Sequence, residues 1–315
     1  MITPLRLGLA GLDSSHAPAF TRLLNATAED SPHREPGGVQ STQPPHPALA
    51  GARVVAAWPG TPSADFAMSR DRFDDVSHQV LDDLAIPQTS SLADLLDHVD
   101  AVLITAVDPR QHVSLLAAAV DAGRPAFVDT RLTLSAEEVE PVLAEANARG
   151  VPVLCASPKR YASAFTDAQG PGAVVGVDLW GPMPAQPPLP LPAWYGVHLA
   201  DLAHAALGPG CVSVTARSGP NATVLVCQWE DGRIATLRGS PTWTPHTGGR
   251  LHRTESAAAF QITVGGPDFY VPLLAEILTM CRTSRAPIAT AEMLGVVRLL
   301  TAAAESLQTG AEVRV

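Results

Sequence analysis

His198 and Asp201 stand three residues apart in Tyr195-Gly196-Val197-His198-Leu199-Ala200-Asp201, within a stretch of helical periodicity. Groups at that spacing share one helix face, where a carboxylate can orient an imidazole and raise its proton affinity. Such a pair can take up and return a proton near neutral pH. The same pattern also suits a hydrogen-bonded structural histidine. His204 falls three further on and extends the face. Ligands carried on one helix need a contribution from elsewhere to close a metal shell, and no metal is expected.

A second group follows the first apolar run, Gly8-Leu9-Ala10-Gly11-Leu12-Asp13-Ser14-Ser15-His16. Read as the G-x-G-x-x-G of a dinucleotide-binding turn, it needs glycine at 11, 13 and 16, and it has Gly11, Asp13 and His16. The middle glycine lets the backbone approach a pyrophosphate. A carboxylate facing that phosphate at about 4 Å, with an effective dielectric near 20, would cost roughly 4 kcal/mol. Either Asp13 turns away or no dinucleotide binds in the usual pose. Asp13, Ser14 or Ser15 can also simply cap the following helix.

These groups need a scaffold, and the apolar pattern supplies one. Strands are expected at 5–11, 53–58, 101–106, 125–128 and 151–156, alternating with helices at 16–25, 91–98, 111–122 and 135–149. That is the rhythm of a doubly wound parallel α/β sheet. Its strand ends open into a crevice, which makes Gly8, Gly11, Asp13, Ser14, Ser15, His16, Thr105, Asp108 and Asp129 the candidate cofactor contacts. The acid that binds a ribose at the end of a second strand is replaced by Trp58-Pro59-Gly60. Residues 25–51, rich in Pro, His, Ser and Gly, read as a surface insertion. Past Ser157 the rhythm changes to strands at 174–180, 212–217, 223–229, 233–238 and 259–264, with helices at 196–207, 271–283 and 291–309. The expectation is a Rossmann-like domain over 1–157 and an α+β domain over 158–315 built on an open, mainly antiparallel sheet, with the C-terminal helix packing back on the first domain.

Bulk composition narrows the partners. The chain has 315 residues, 46% hydrophobic and 17% charged, and a formal charge of −10. An acidic globular chain of this kind is a poor partner for nucleic acid. Cys155, Cys211, Cys227 and Cys281 have neither zinc nor disulfide-framework spacing. With no membrane-length apolar run and no signal-like leader, a cytoplasmic location is expected.

The order of these pieces resembles the Gfo/Idh/MocA family of NAD(P)-dependent oxidoreductases. The likeness is carried by Ser91 through Tyr161, with Val99-Asp100-Ala101-Val102, His112 and Ala122-Gly123-Arg124-Pro125-Ala126-Phe127-Val128 within it, and by Pro287-Ile288-Ala289-Thr290-Ala291-Glu292 with Glu305 to Gly310. Gly11 to His16 and Tyr195-Gly196-Val197-His198 are similar to Gly-Leu-Asp-Thr-Ser-His and Tyr-Gly-Ile-His of one branch. The resemblance implies NAD or NADP and a sugar- or polyol-like small molecule as substrate, and an exposed face on the second-domain sheet would suit a homodimer. It places Asp129-Thr130-Arg131 where the family has Glu-Lys-Pro, so Thr130 occupies the position of a catalytic lysine. A hydroxyl cannot act there as an ammonium. Arg131 would supply charge without releasing a proton, or pair with Asp129. Asp-x-Gly-x-His-x-x-Asp corresponds to Trp194 through Asp201, with Trp194 in place of the first acid. The implied catalytic set is His198, Asp201, Arg131 and Thr130, and the substrate set is Lys159, Arg160, Trp194 and Tyr195. The competing reading is a non-catalytic or repurposed member that binds a small ligand, favoured by the departures at Asp13, Trp58, Thr130 and Trp194.

Overall fold

The computed structural model describes residues 4–27, 45–266 and 268–315. The chain divides into two compact units, the first made of 1–133, 137–155 and 265–288, the second of 134–136, 156–264 and 289–315.

The first unit is built on five parallel strands in the order β2-β1-β3-β4-β5. β1 is Leu5–Ala10, α1 His16–Asn25, β2 Ala52–Trp58, α2 Ala67–Arg70 and α3 Phe73–His78. Then come α4 Leu92–His98, β3 Ala101–Ile104, α5 Pro109–Asp121, β4 Ala126–Val128, α6 Ala136–Ala148 and β5 Val153–Cys155. The inner strands β3 and β4 and the edge strand β5 are buried along their whole length, which is why their sequences are unbroken apolar runs. Two of the helices start where the sequence supplies a cap. Ser91 accepts the Asp94 N–H ahead of α4, and Asp108 accepts the Arg110 N–H ahead of α5, with Pro109 in the first helical position.

Residues 28–44 of the expected surface insertion lie outside the described residues. Its two ends pack. Asn25 brackets the β2 backbone at Val54 through both its amide atoms (2.8 and 2.9 Å), and Leu49 in the short turn Pro47–Leu49 is buried.

The second unit carries α7 Ser163–Gln169, β6 Gly176–Pro182, α8 Gly196–Leu207, β7 Cys211–Gly219, β8 Ala222–Trp229 and β9 Ile234–Ser240. β10 His246–His252 and β11 Ala257–Thr263 follow. After α9 (Val271–Thr283), which belongs to the first unit, α10 (Thr290–Thr309) and β12 (Val313–Arg314) complete the second. The sheet order is β11-β10-β6-β9-β8-β7-β12, antiparallel except for the β6–β9 pair.

β10 is absent from the sequence expectation because His246-Thr247-Gly248-Gly249-Arg250 reads as a breaker. The glycines are instead what the sheet requires. A Cβ on Gly248 would lie 2.6 Å from the Trp180 ring, and one on Gly249 2.5 Å from the Asp178 carbonyl oxygen. Of the two C-terminal helices, it is α9 that joins the first unit. Tyr270 at its start packs edge-on against His16 and Phe20, and Arg282 at its end donates to the Ala50 carbonyl at 2.6 Å. The last helix, expected there, packs on β7 and α8 of its own unit, where Ser306 accepts the Ala216 N–H at 2.8 Å.

Candidate functional site

In the first unit the strand order reverses between β1 and β3, and at such a switch point the carboxyl ends of the strands diverge. The turn after β1 is pinned there from three sides. The Gly11 N–H donates to Trp58 O (2.9 Å), the Leu12 N–H to Pro59 O (2.9 Å), and the Thr105 hydroxyl donates to Gly11 O at 2.6 Å. Gly11 sits at φ 91°, and a Cβ on it would lie 2.6 Å from the Ala106 backbone, so no other residue fits.

Asp13 does not cap α1. Its carboxylate is folded inward, accepting the Ser69 hydroxyl at 2.5 Å and the Val107 N–H at 2.8 Å, and it is 3% exposed. Burial pushes this carboxyl above its ordinary range, against the pull of the two hydrogen bonds. The serines behave differently. Ser15 is the N-cap residue of α1 without a side-chain bond, whereas the Ser14 hydroxyl accepts the His16 N–H at 3.3 Å.

Asp129, at the end of β4, gathers the neighbouring groups. It accepts the Ser14 hydroxyl (3.2 Å), His16 Nδ1 (2.7 Å) and the Thr130 N–H (2.8 Å). Burial pushes its carboxyl up, but His16, Arg131 and His112 together outweigh burial and hold it below the usual carboxylate range. His16 is stacked on Phe20 at 5.2 Å. His112 lies between the Arg131 and Ala106 carbonyl oxygens, 2.6 Å from each, tying the loop after β4 to the end of β3. Thr130 and Arg131 are both buried. Asp108 is engaged by Arg110, which also grips Asp65, and its role is that of a helix cap and ion-pair partner. Gly8 lies within β1 under α4, where a Cβ would meet Leu95 at 2.9 Å.

In the second unit the expected contact between His198 and Asp201 is not made directly. Ser157 stands between them, its hydroxyl 2.8 Å from His198 Nδ1 and its N–H donating to Asp201 at 3.1 Å. The rest of the Asp201 carboxylate faces Arg160 at 2.9 Å, and Arg160 also grips Glu292 at 2.6 Å. Asp201 is buried, and the side chains of Arg160 and Glu292 are only 11% and 16% exposed, so Arg160 and Asp201 brace α8 against the turn at Pro158–Tyr161. His204 leaves the face that the spacing suggested. It packs on Trp229 at 5.4 Å with Nδ1 at its own helix's Ala200 carbonyl, and a Cβ on Gly295 would lie 2.7 Å from its Nε2.

Lys159 completes this group. It is 3% exposed, its Nζ donates to the Thr247 hydroxyl at 2.8 Å, and it lies 5.7 Å over the Tyr195 ring. Desolvation draws its pKa down to about 7. The Tyr195 ring is 5.2 Å from that of His198 and 6.0 Å from that of Trp194, and its hydroxyl accepts the Trp243 indole N–H at 2.9 Å. Sequence reasoning missed Ser157, Thr247 and Trp243. The first two depend on long-range packing, and Thr247 rides on the strand whose glycines hid it. Among the described residues no His/Cys/Asp/Glu group is arranged to hold a metal, and no helix is long and apolar enough to cross a membrane.

No family model matches the sequence, and no curated protein matches it. Solved structures do. A probable dehydrogenase from Thermotoga maritima is similar over 98% of both chains at 16% identity, with a TM-score of 0.74. GenD2 of gentamicin A biosynthesis, in complex with NAD, is similar over 100% of this chain and 97% of its own at 16% identity and a TM-score of 0.75. Scyllo-inositol dehydrogenase from Lactobacillus casei, with NAD(H) and scyllo-inositol, matches over 99% of both chains at 13% identity and a TM-score of 0.72. The chain therefore shares the fold of these dehydrogenase structures, a parallel α/β sheet followed by a mainly antiparallel one, as the sequence resemblance implies.

Proposed function

We propose that the protein is an NAD(P)-dependent oxidoreductase acting on a sugar- or polyol-like small molecule, and that its nucleotide binds at the carboxyl end of the first unit's parallel sheet. The observation that carries this reading is the inward fold of Asp13. With its charge tied to Ser69 and Val107, the turn at Gly11 presents backbone and the Ser14-Ser15 segment to an incoming phosphate without a carboxylate in the way. The neighbours solved with NAD support the same assignment. The bound nucleotide would supply the hydride acceptor. Gly11, Ser14, Ser15 and His16 would hold its phosphates, with Thr105 and Asp129 shaping the turn around them. In the second unit Lys159, Tyr195, Trp194 and His198 would receive the substrate's oxygens, and Asp201 would act through Ser157 to position His198.

Titration with NADH and NADPH, followed by calorimetry and by quenching of tryptophan fluorescence, tests the assignment. Saturable heat with either nucleotide is expected. No heat and no thermal shift with both would overturn it and leave the repurposed ligand binder as the better reading. The same reading assigns the open face of the second sheet, where Trp180, Val226 and Ile234 are exposed, to a second copy of the chain. Sedimentation as a monomer at micromolar concentration would exclude that homodimer. The four cysteines are free.

A further inference from the structure

Lys159 is the sole lysine of a chain whose 21 basic residues are otherwise all arginine. It is also deeply buried. On a solvated surface either cation keeps a protein charged, and this chain meets that need with guanidinium throughout. The one property an amine has and a guanidinium lacks is release of a proton near neutral pH. A single amine, retained at a buried position, points to that property.

Its surroundings leave its charge unfixed. On the turn that carries it, Arg160 is turned to Asp201 and Glu292. On α8, His198 is hydrogen-bonded to Ser157, and Asp201 is closed within the ion pairs just named. From β10 only the neutral Thr247 hydroxyl reaches Nζ, and the Tyr195 hydroxyl is turned to Trp243. Among the described residues no carboxylate pairs with Lys159, and burial is the one influence that moves its proton affinity. The neighbouring guanidinium, Arg160, is taken up by Asp201 and Glu292.

We propose that Lys159 is the proton-transferring residue of the oxidoreduction, acting on the hydroxyl of an uncharged polyol; this rests on the function proposed above. In the oxidative direction the substrate O–H bond breaks and its proton passes to the Nζ lone pair. The carbinol C–H bond breaks, its electron pair leaving as hydride to the oxidised nicotinamide nucleotide, and the oxygen's freed pair closes the C=O bond. In reduction the ammonium returns the proton. Thr247 and the Tyr195 ring hold the amine in place, and His198, anchored on Ser157, packs against Tyr195.

The composition makes the test direct. The full chain labelled with [13Cε]lysine gives one side-chain methylene signal, and its pH titration reads Lys159 without substrate or nucleotide. A midpoint near 7 is expected, displaced when NADH and myo-inositol are added as an abortive pair. A midpoint in the ordinary lysine range near 10.4 overturns the proposal. The variant Lys159→Met, which removes the amine without burying a fixed charge, should keep the fold by circular dichroism and bind NADH within about twofold of wild type, yet lose about 100-fold or more in polyol oxidation. Activity within about fivefold of wild type overturns the proposal, as does wild-type protein that binds NADH but oxidises no inositol, alditol or aldose. Failure of wild-type protein to bind either nucleotide overturns the underlying function instead, and the two failures are distinct.

Discussion

Replacing Lys159 by methionine should make the protein more stable, and the gain should depend on pH. On folding, the amine's pKa falls from 10.5 to about 7. Above pH 10.5 the amine is neutral in both states, so it adds no penalty. As pH falls from 10.5 toward 7, the unfolded chain binds a proton that the folded chain does not, and stability declines by about 1.4 kcal/mol per pH unit. Below 7 both states are protonated and the loss stays constant. Over about 3.5 pH units this amounts to roughly 5 kcal/mol at most. Methionine removes that penalty, keeps most of the volume, and forfeits the Thr247 hydrogen bond, worth about 1 kcal/mol. A net stabilisation of roughly 2–4 kcal/mol is expected at pH 6, vanishing toward pH 10. Urea denaturation at pH 6 and pH 9.5, followed by tryptophan fluorescence, measures it. Of the five tryptophans, Trp180, Trp194, Trp229 and Trp243 lie in the unit that holds Lys159, so the signal reports on that unit. A variant less stable than wild type at pH 6, or a difference independent of pH, would refute the reasoning.

Two further substitutions separate structural from chemical roles. Asp201→Asn removes the charge that faces buried Arg160 while leaving Glu292 in place and an amide oxygen for the Ser157 N–H; a loss of about 3 kcal/mol is expected, a fall in Tm of roughly 6–12 °C. An Asp201→Asn protein that melts with wild type but loses activity 100-fold would restore the direct catalytic pairing with His198. Asp13→Ala leaves the Ser69 hydroxyl and the Val107 N–H without their acceptor, at a cost of about 2–4 kcal/mol, and should not tighten NADH binding. A tenfold gain in NADH affinity by calorimetry would show that the carboxylate faces the phosphate after all.

Most of the fold was legible because burial writes itself into composition. β3 at Ala101–Ile104 and β4 at Ala126–Val128 are covered on both faces and could only be apolar runs, while capping residues such as Ser91 and Asp108 mark helix starts chemically. What stayed hidden depends on contacts distant in sequence. Gly248 and Gly249 signal a turn until the Trp180 ring and the Asp178 carbonyl are set against them, and only then do they signal a strand. Asp201 three residues after His198 signals a dyad until Arg160 and Ser157 arrive from an earlier turn and take both its oxygens.

The departures from the family pattern acquire different meanings once neighbours are known. Asp13 in place of glycine requires an inward partner set, and Ser69 and Val107 provide it, so the substitution is compensated within the first unit. Thr130 in place of lysine has no amine beside it: Arg131 stays charged, Asp129 is held ionised against His16, and His112 is closed between two carbonyl oxygens. An amine must therefore come from elsewhere in the chain if the chemistry is kept, and composition leaves one candidate. Lys159 is buried, and among the described residues no carboxylate pairs with it, as that candidate requires. Thr130→Lys should then add little to turnover in wild-type protein, measured as polyol-dependent NADH formation. A large gain from Thr130→Lys in the presence of Lys159 would separate the two positions and break the argument.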